Sequence, residues 1–352
     1  MKSRGKILVA MSGGVDSSVV AALLVKQGYD VTGAFMINYN ETDGDCWRGD
    51  YQDAVRVAAK LNIPLLRLDF TKEYKEKVLD YMYAEYEKGR TPNPDVLCNK
   101  FVKFGVWLDK IKELGFDKIA TGHYATIKQK FSKSKVKIYN LIRAKDENKD
   151  QTYFLHQLNQ EQLSQILFPL GKYTKSEVRK LAKKFALPTS TKEESMGICF
   201  IGEVSMKEFL ENKIKTKSGD IILSTTGEKI GEHDGLAFYT LGQRHGFSQT
   251  GGTKPLFVVG KDQTTNQLLV GYEDDSRLWT KEIEVEDFHW IVGIKPKFPL
   301  PVKVRLRHRQ ELQNCIVENN KIIFKKSQRA ATPGQFAVIY KNRVCLGGGV
   351  IK

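Results

Sequence analysis

The chain has 352 residues, 41% hydrophobic and 28% charged, a globular balance that excludes a disordered chain and suggests two or three domains. Its formal charge of +15, from 56 basic and 41 acidic residues, favours polyanionic partners, although a lysine-rich surface alone gives the same sum. No apolar run reaches the roughly 20 residues that span a bilayer, and Met1 to Lys6 lacks signal-peptide architecture. Five scattered cysteines make no secreted disulfide framework, so a cytoplasmic protein with reduced thiols and no membrane partner is expected.

In chain order, Lys6–Met11 reads as a short apolar strand, followed by a glycine turn and an apolar helix over Ser17–Gln27. A strand at Val31–Ile37, a helix at Tyr51–Leu61, a strand at Leu65–Phe70 and a helix at Tyr74–Lys88 follow. Thr91-Pro92-Asn93-Pro94 breaks that helix and starts another, running to about Leu114, and Lys118–Thr121 is the next strand. This alternation implies a doubly wound α/β domain around a parallel sheet. Helical patterns recur at Gln160–Leu167 and Ser176–Phe185, with a capping box at Thr174 and Glu177. From about Lys217 short β-rich runs alternate with turns. After Asp287 only strands remain: Val302–Arg307, Gln313–Glu318, Lys321–Phe324, Gln335–Tyr340 and Val344–Val350, with a tight hairpin at Asn319-Asn320. Such a run suggests a small closed β-barrel. The predicted division is 1–205, 206–280 and 281–352.

Ser12-Gly13-Gly14-Val15-Asp16-Ser17-Ser18 lies between the first strand and the first helix. Glycines let backbone N–H groups approach a polyanion, and a helix N-terminus adds partial positive charge. The serines supply hydroxyl donors, and Asp16 can hold Mg²⁺ or cap the helix. No Gly-Lys-Ser/Thr follows, so this is not a Walker loop. An ordinary capped turn accounts for one glycine and one cap, but not for two glycines and four polar oxygens together.

Two cysteines stand in unusual surroundings. Asn93 can cap a helix whose first residue is Pro94, which places Cys98 in the opening turns, where the helix dipole lowers a thiol pKa. Asp95 stands close by as a general acid or base. Taken singly, Cys98 reads better as a small buried core residue. Cys199 lies between Gly197 and Gly202, either on a loop that carries a thiol or within a short core strand, Ile198 to Phe200. Taken together, they supply what sulfur insertion requires: one thiol to carry a persulfide and a second to resolve it by thiol–disulfide exchange. Cys46, Cys315 and Cys345 have no such context and read as structural.

The loop Ser12 to Ser17 resembles the pyrophosphate loop (PP-loop) of the ATP pyrophosphatases, which cleave ATP to AMP and pyrophosphate. Loop, Pro-rich Cys98 segment and Gly-flanked Cys199 together resemble the tRNA-specific 2-thiouridylases. The likeness continues through Ala120-Thr121-Gly122-His123-Tyr124, Lys149 to Phe154, Leu241-Gly242-Gln243-Arg244, Thr332-Pro333-Gly334-Gln335 and Cys345 to Gly349. Met196 stands where the family has Thr. The resemblance implies a PP-loop α/β domain, a small central linker domain and a tRNA-binding barrel. It implies ATP-dependent 2-thiolation of the wobble uridine (position 34) of tRNA, by adenylation of the 2-oxygen and sulfur transfer from a cysteine persulfide, releasing AMP and pyrophosphate. Ala10, Met11, Ser12, Gly13, Gly14, Val15, Asp16, Ser17, Met36 and Gly122 would hold ATP, with Mg²⁺ screening the phosphates. Asn93, Pro94, Asp95, His123, Lys149, Asp150, Gln151, Arg307, His308 and Gln335 would contact the tRNA or its target base. Cys199 would carry the persulfide, loaded by a sulfur-donor or relay protein, and Cys98 would be its partner thiol, a Cys98–Cys199 disulfide remaining after turnover.

Several alternatives stay open on sequence. An iron–sulfur cluster held by Cys98, Cys199 and an oxygen ligand such as Asp95 is the chemical alternative to persulfide relay. An amide-forming synthetase, such as a tRNA-lysidine synthetase, uses the same loop without a thiol pair. An RNA-binding scaffold would need no working nucleotide site. Lys303, Arg305, Arg307 and Arg309 alternate along one strand pattern and predict a basic face for RNA, whereas His156 and His289 read as ordinary packing or surface residues. The Lys-rich stretch Lys128–Lys137 reads as a surface hairpin.

Overall fold

The computed structural model describes residues 4–40, 46–132, 134–193, 206–211, 213–247 and 254–352. Strands β1 (Lys6–Ala10), β2 (Asp30–Ile37), β3 (Leu65–Asp69) and β4 (Lys118–Ala120) form a parallel sheet. After a hairpin of β5 (Ala125–Phe131) and β6 (Lys137–Arg143), β7 (Ile166–Leu167) completes it in the order β3-β2-β1-β4-β7. The sequence pattern hid β7 at the end of a helical run; the helix there is only Gln160–Ser164.

The unbroken apolar run of β1 reflects burial on both faces. Leu8 feeds one core, with the helical stretches 71–87 and 94–113, while Ile7 and Val9 feed the other, with helices Val15–Lys26 and Cys46–Leu61. The helix Lys175–Lys184 joins this second core through Val178 and Ala182.

Strands β8 (Gly219–Leu223), β9 (Lys229–His233), β10 (Phe257–Asp262) and β11 (Gln267–Gly271) make a separate four-stranded sheet around Ile221, Val258, Leu268 and Val270. The last unit is a closed six-stranded barrel of β12 (Trp279–Trp290), β13 (Leu300–Arg305), β14 (Gln313–Glu318), β15 (Lys321–Arg329), β16 (Phe336–Lys341) and β17 (Val344–Ile351). Pairing of β12 with both β15 and β17 closes it. Asn319, at φ 52°, makes the β14–β15 turn, the left-handed position that asparagine tolerates.

The Lys-rich hairpin has a second role that the sequence did not show. Its strand β6 pairs with β17 through Leu141 and Ile142, so the barrel sheet continues onto an element of the parallel-sheet domain. A charged cluster sits at this seam. Asp150 is fully buried and accepts from Arg143 Nε at 3.2 Å, Arg305 Nη1 at 3.3 Å and the Thr152 hydroxyl at 3.0 Å, and that hydroxyl lies 3.2 Å from the Tyr340 hydroxyl. Two sequence expectations are corrected here. Asp150 has no surface to offer an RNA, because two arginines enclose it. Arg305 leaves the predicted basic face: it is buried against Asp150 and the Tyr340 ring, while Lys303, Arg307 and Arg309 stay exposed.

Candidate nucleotide and thiol site

The loop after β1 and the loop after β4 flank the point where strand order reverses, the crevice at which open α/β sheets bind ligands. Gly13 has φ 73°, and a Cβ there would stand 2.2 Å from the Asp50 carbonyl oxygen, so only glycine fits. Gly14 begins the helix Val15–Lys26 without a side-chain cap. The first-turn N–H groups therefore have no side-chain acceptor, and with the helix dipole they form an anion site. Neither Asp16 nor Ser17 caps the helix. The Ser17 hydroxyl accepts from Ser12 N–H at 3.2 Å and donates to the Gly14 carbonyl at 3.1 Å, while Ser18 donates to that carbonyl at 2.7 Å. These bonds hold the loop curled around the helix start. Gly122 closes in from β4: a Cβ there would meet Asp16 Cβ at 3.1 Å and Ser17 N at 3.2 Å. Gly122 thus lies directly against the loop, and Met36 lies buried near the end of the neighbouring β2.

Sequence reasoning missed Lys175. Its Nζ lies 2.8 Å from both carboxylate oxygens of Asp16, and Tyr124 donates to the same carboxylate at 3.0 Å. Lys175 opens the helix Lys175–Lys184, whose Thr174–Glu177 capping box forms as predicted. A cation at a helix N-terminus opposes the dipole, so this placement is locally unfavourable and fits a ligand-facing task. The capping box was the only local signal, and it says nothing about Asp16, 159 residues away.

Asn93 caps its helix as predicted, accepting from Val96 N–H at 3.3 Å with Pro94 in the first turn. Cys98 follows, 1% exposed in the core that also holds Met36, Phe104 and Trp107. It opens a π-helical segment, Cys98–Val106, a geometry frequent at functional sites. Asp95 is half-buried on the same first turn. Further along, Phe104 and Phe168 flank His123, whose Nδ1 lies 2.7 Å from the Thr121 hydroxyl. Desolvation, reinforced by Lys103, holds His123 well below the usual histidine range, so it is a neutral imidazole beside Gly122.

The barrel reaches this region through the loop before β16. Gln335 donates to the carbonyl oxygens of Thr91 at 2.8 Å and Pro92 at 3.2 Å and accepts from Asn93 at 3.3 Å. Gln151 locks onto Tyr124, with backbone and side-chain bonds of 2.9 and 2.8 Å. A second group of expected RNA contacts lies across the seam. Arg307 is exposed, and His308 packs against Phe154 with ring centroids 4.5 Å apart and the planes tilted by 41°. Desolvation, with Arg309, Arg305 and Lys149 nearby, lowers the pKa of His308 to about 4. The packing roles of His156 and His289 hold: both bond backbone carbonyls, of Tyr153 and Leu158. Cys315 and Cys345 are buried in the barrel, and burial pushes the Cys315 thiol up to about 12.

Cys199 lies outside the described residues, but the chain leading to it is anchored at the loop. Lys192 pairs with Asp50 and Asp53 at 2.6 Å each, and the Asp50 backbone is what covers Gly13. Beyond the gap, Phe209 packs on Tyr39 and Tyr83. The described residues contain no group of three or more metal-ligating side chains and no helix long and apolar enough to cross a membrane.

Fold and site thus define a nucleotide-dependent α/β enzyme with a phosphate loop at the switch point and a β-barrel appended. The chain matches a tRNA methyl transferase HUP domain over residues 5–203, the PRC-barrel domain of the same name over 207–272 and an aminomethyltransferase β-barrel domain over 280–351. It is 46% identical to the tRNA-specific 2-thiouridylase MnmA of Oceanobacillus iheyensis, over 98% of this chain and 94% of that protein. It is 44% identical to MnmA 2 of Geobacillus kaustophilus, with the same coverage of each. Among solved structures, the U34-tRNA thiolase NcsA from Methanococcus maripaludis, with its [4Fe-4S] cluster, is 19% identical over 60% of this chain and 65% of that one, with a TM-score of 0.36. The chain belongs to the family these three domain models describe, that of the tRNA-specific 2-thiouridylases.

Proposed function

We propose that this protein uses ATP to replace the 2-oxygen of the tRNA wobble uridine with sulfur. The observation that carries the reading is the uncapped helix start at Gly13 and Gly14, faced by Lys175 and sited at the sheet's switch point. It is supported by 44–46% identity to 2-thiouridylases over almost the whole chain. ATP would lie with its phosphates on this helix start. Mg²⁺ bound to the nucleotide would screen their charge, with Asp16 as the nearby carboxylate. The uridine 2-oxygen attacks the α-phosphorus and pyrophosphate leaves, so that a poor leaving group becomes AMP.

The terminal sulfur of a Cys199 persulfide then attacks carbon 2, and AMP departs with the former 2-oxygen. Cys98 attacks Cys199 Sγ, the S–S bond breaks, and the thiocarbonyl is released, leaving a Cys98–Cys199 disulfide for an external thiol to reduce. The seven-residue step from Lys192 to Cys199 spans at most about 25 Å, a tether that starts beside the loop. Burial of Cys98 shelters the resolving thiol from bulk oxidants. A sulfur-donor protein would load Cys199, and Asn93, Asp95 and neutral His123 border the place for the splayed base.

Incubation with ATP, a persulfide donor and unmodified tRNA should yield 2-thiouridine by mass spectrometry of digested nucleosides; its absence would refute the reading. Cys199→Ser should lose the product yet keep tRNA-dependent pyrophosphate release, and retained thiolation would sink the relay. Activity surviving both Cys98→Ala and Cys199→Ala would instead favour an amide-forming synthetase.

A further inference from the structure

The β5–β6 hairpin carries charge that its packing does not use. Residues 128–137 hold Lys128, Lys130, Lys133, Lys135 and Lys137 and no carboxylate, so ten residues supply five of the fifteen net positive charges. Several exposed lysines elsewhere are answered locally, Lys112 by Glu161, Lys145 by Glu177, Lys207 by Asp234 and Lys321 by Glu282. Among the described residues, Lys128, Lys130, Lys135 and Lys137 form no ion pair.

Only the base of the ribbon is held. There β6 pairs with β17, and the Gln160 side chain brackets the Tyr139 peptide, accepting from its N–H at 2.8 Å and donating to its carbonyl at 3.0 Å. Beyond Tyr139 the two strands pair with each other, Ile138 opposite Lys130 and Lys137 opposite Phe131. At the tip Phe131 is 62% and Val136 59% exposed. Facing pairs share a side, so Lys128 and Lys130 line one face while Phe131 and Lys137 line the other. The ribbon begins at Ala125, two residues after His123, and its seven-residue strands reach about 23 Å from there.

Unanswered lysines on both faces repel one another, and a row of phosphates relieves that repulsion while releasing counterions. The exposed ring adds a surface on which an unpaired base can stack. We propose that this hairpin is an RNA arm that grips the phosphate backbone of the tRNA away from the modified nucleotide. This rests on the tRNA-thiolation reading above and adds a contact outside the residues assigned there.

The test replaces Lys128, Lys130, Lys135 and Lys137 together with Gln, and in a second variant with Glu, and titrates unmodified tRNA against each from about 50 to 200 mM salt. The Gln variant should bind about 10- to 100-fold more weakly at the lowest salt, and its slope of log affinity against log salt should shrink by about 3. The Glu variant should lose more, with ATP affinity unchanged in both. Wild-type affinity and slope in both variants would overturn the proposal, even if the ribbon then proved to bind an acidic protein. A wild-type protein that neither binds nor thiolates tRNA would instead refute the underlying reading.

Discussion

Two aspartates, Asp16 and Asp150, show how one residue type serves opposite ends. Asp150 is 0% exposed, its arginine partners are 10% and 5% exposed, and Thr152 and the Ala144 N–H complete its hydrogen bonding. Asp16 is 30% exposed and its partner Lys175 16%, at a crevice whose helix start has no side-chain cap. A buried, fully satisfied charge has nowhere else to go, and removing one partner leaves the others stranded in low dielectric. A half-open pair exchanges readily, because water or a phosphate can replace either member. The first cluster bolts the barrel to the parallel-sheet domain; the second is poised for a ligand.

The largest effect that would break this comparison is on stability. Asp150→Ala strips the acceptor from Arg143 and Arg305 and should cost about 3–5 kcal/mol, read from the urea midpoint of unfolding. A loss below about 1 kcal/mol would mean the cluster is not a bolt. Lys175→Ala should do the reverse. A pair this exposed contributes at most about 1 kcal/mol to folding, yet loss of a cation aimed at developing phosphate charge should lower tRNA-dependent pyrophosphate release about 100-fold. Unchanged turnover with lowered stability would make Lys175 a structural residue.

The sequence was informative wherever local pattern carries the signal. The buried strands β1 and β2 carry apolar runs, Ile7–Ala10 and Ala34–Ile37, and the loop, the Asn93 cap and the Thr174 box each declare themselves within a few residues. What it hid was long-range. Asp150 reads as a polar loop residue because Arg305 is 155 positions away. Period-two alternation placed Lys303 and Arg305 on one face, but not which part of that face another element covers. Most of β12 escaped notice because Ile283 and Val285 are the only buried side chains in a charged stretch. The tie between the hairpin and β17 depends on pairing that no spacing reveals.

Acid should separate the two regions next. His156 is fully buried at the seam, packed 4.9 Å from the Phe336 ring, with Nδ1 donating to the Tyr153 carbonyl and Nε2 accepting from Gln157. Desolvation lowers its pKa from 6.5 to about 3. Between those values the unfolded chain binds a proton that the folded one refuses, so stability is complete above pH 6.5 and falls as the pH drops towards 3. The slope from this one group approaches about 1.4 kcal/mol per pH unit, and His156→Gln should remove it from unfolding measured at pH 6.5, 5.5 and 4.5. An unchanged slope would place the acid sensitivity elsewhere, His123 and His308 being the other imidazoles with depressed pKa values near these sites.

The smallest effect tests whether seam and crevice communicate. Gln335 is the barrel's side-chain hydrogen-bond link to the segment that starts the Cys98 helix, through Thr91, Pro92 and Asn93, beside one backbone bond from Thr91 N–H to the Pro333 carbonyl. Gln335→Ala removes these bonds from a half-buried site and should cost about 1–2 kcal/mol of stability. If the link only fastens the loop, pyrophosphate release and thiolation should keep their wild-type ratio. If it also sets the position of the Cys98 helix, thiolation should fall several-fold while pyrophosphate release holds, because the proposed mechanism assigns adenylation to the loop at Gly13 and Gly14 and sulfur release to Cys98. The cap from Asn93 to Val96 makes the second outcome the expected one: Gln335 holds the same side chain that starts the helix, and a helix start displaced by a fraction of an ångström carries Cys98 with it.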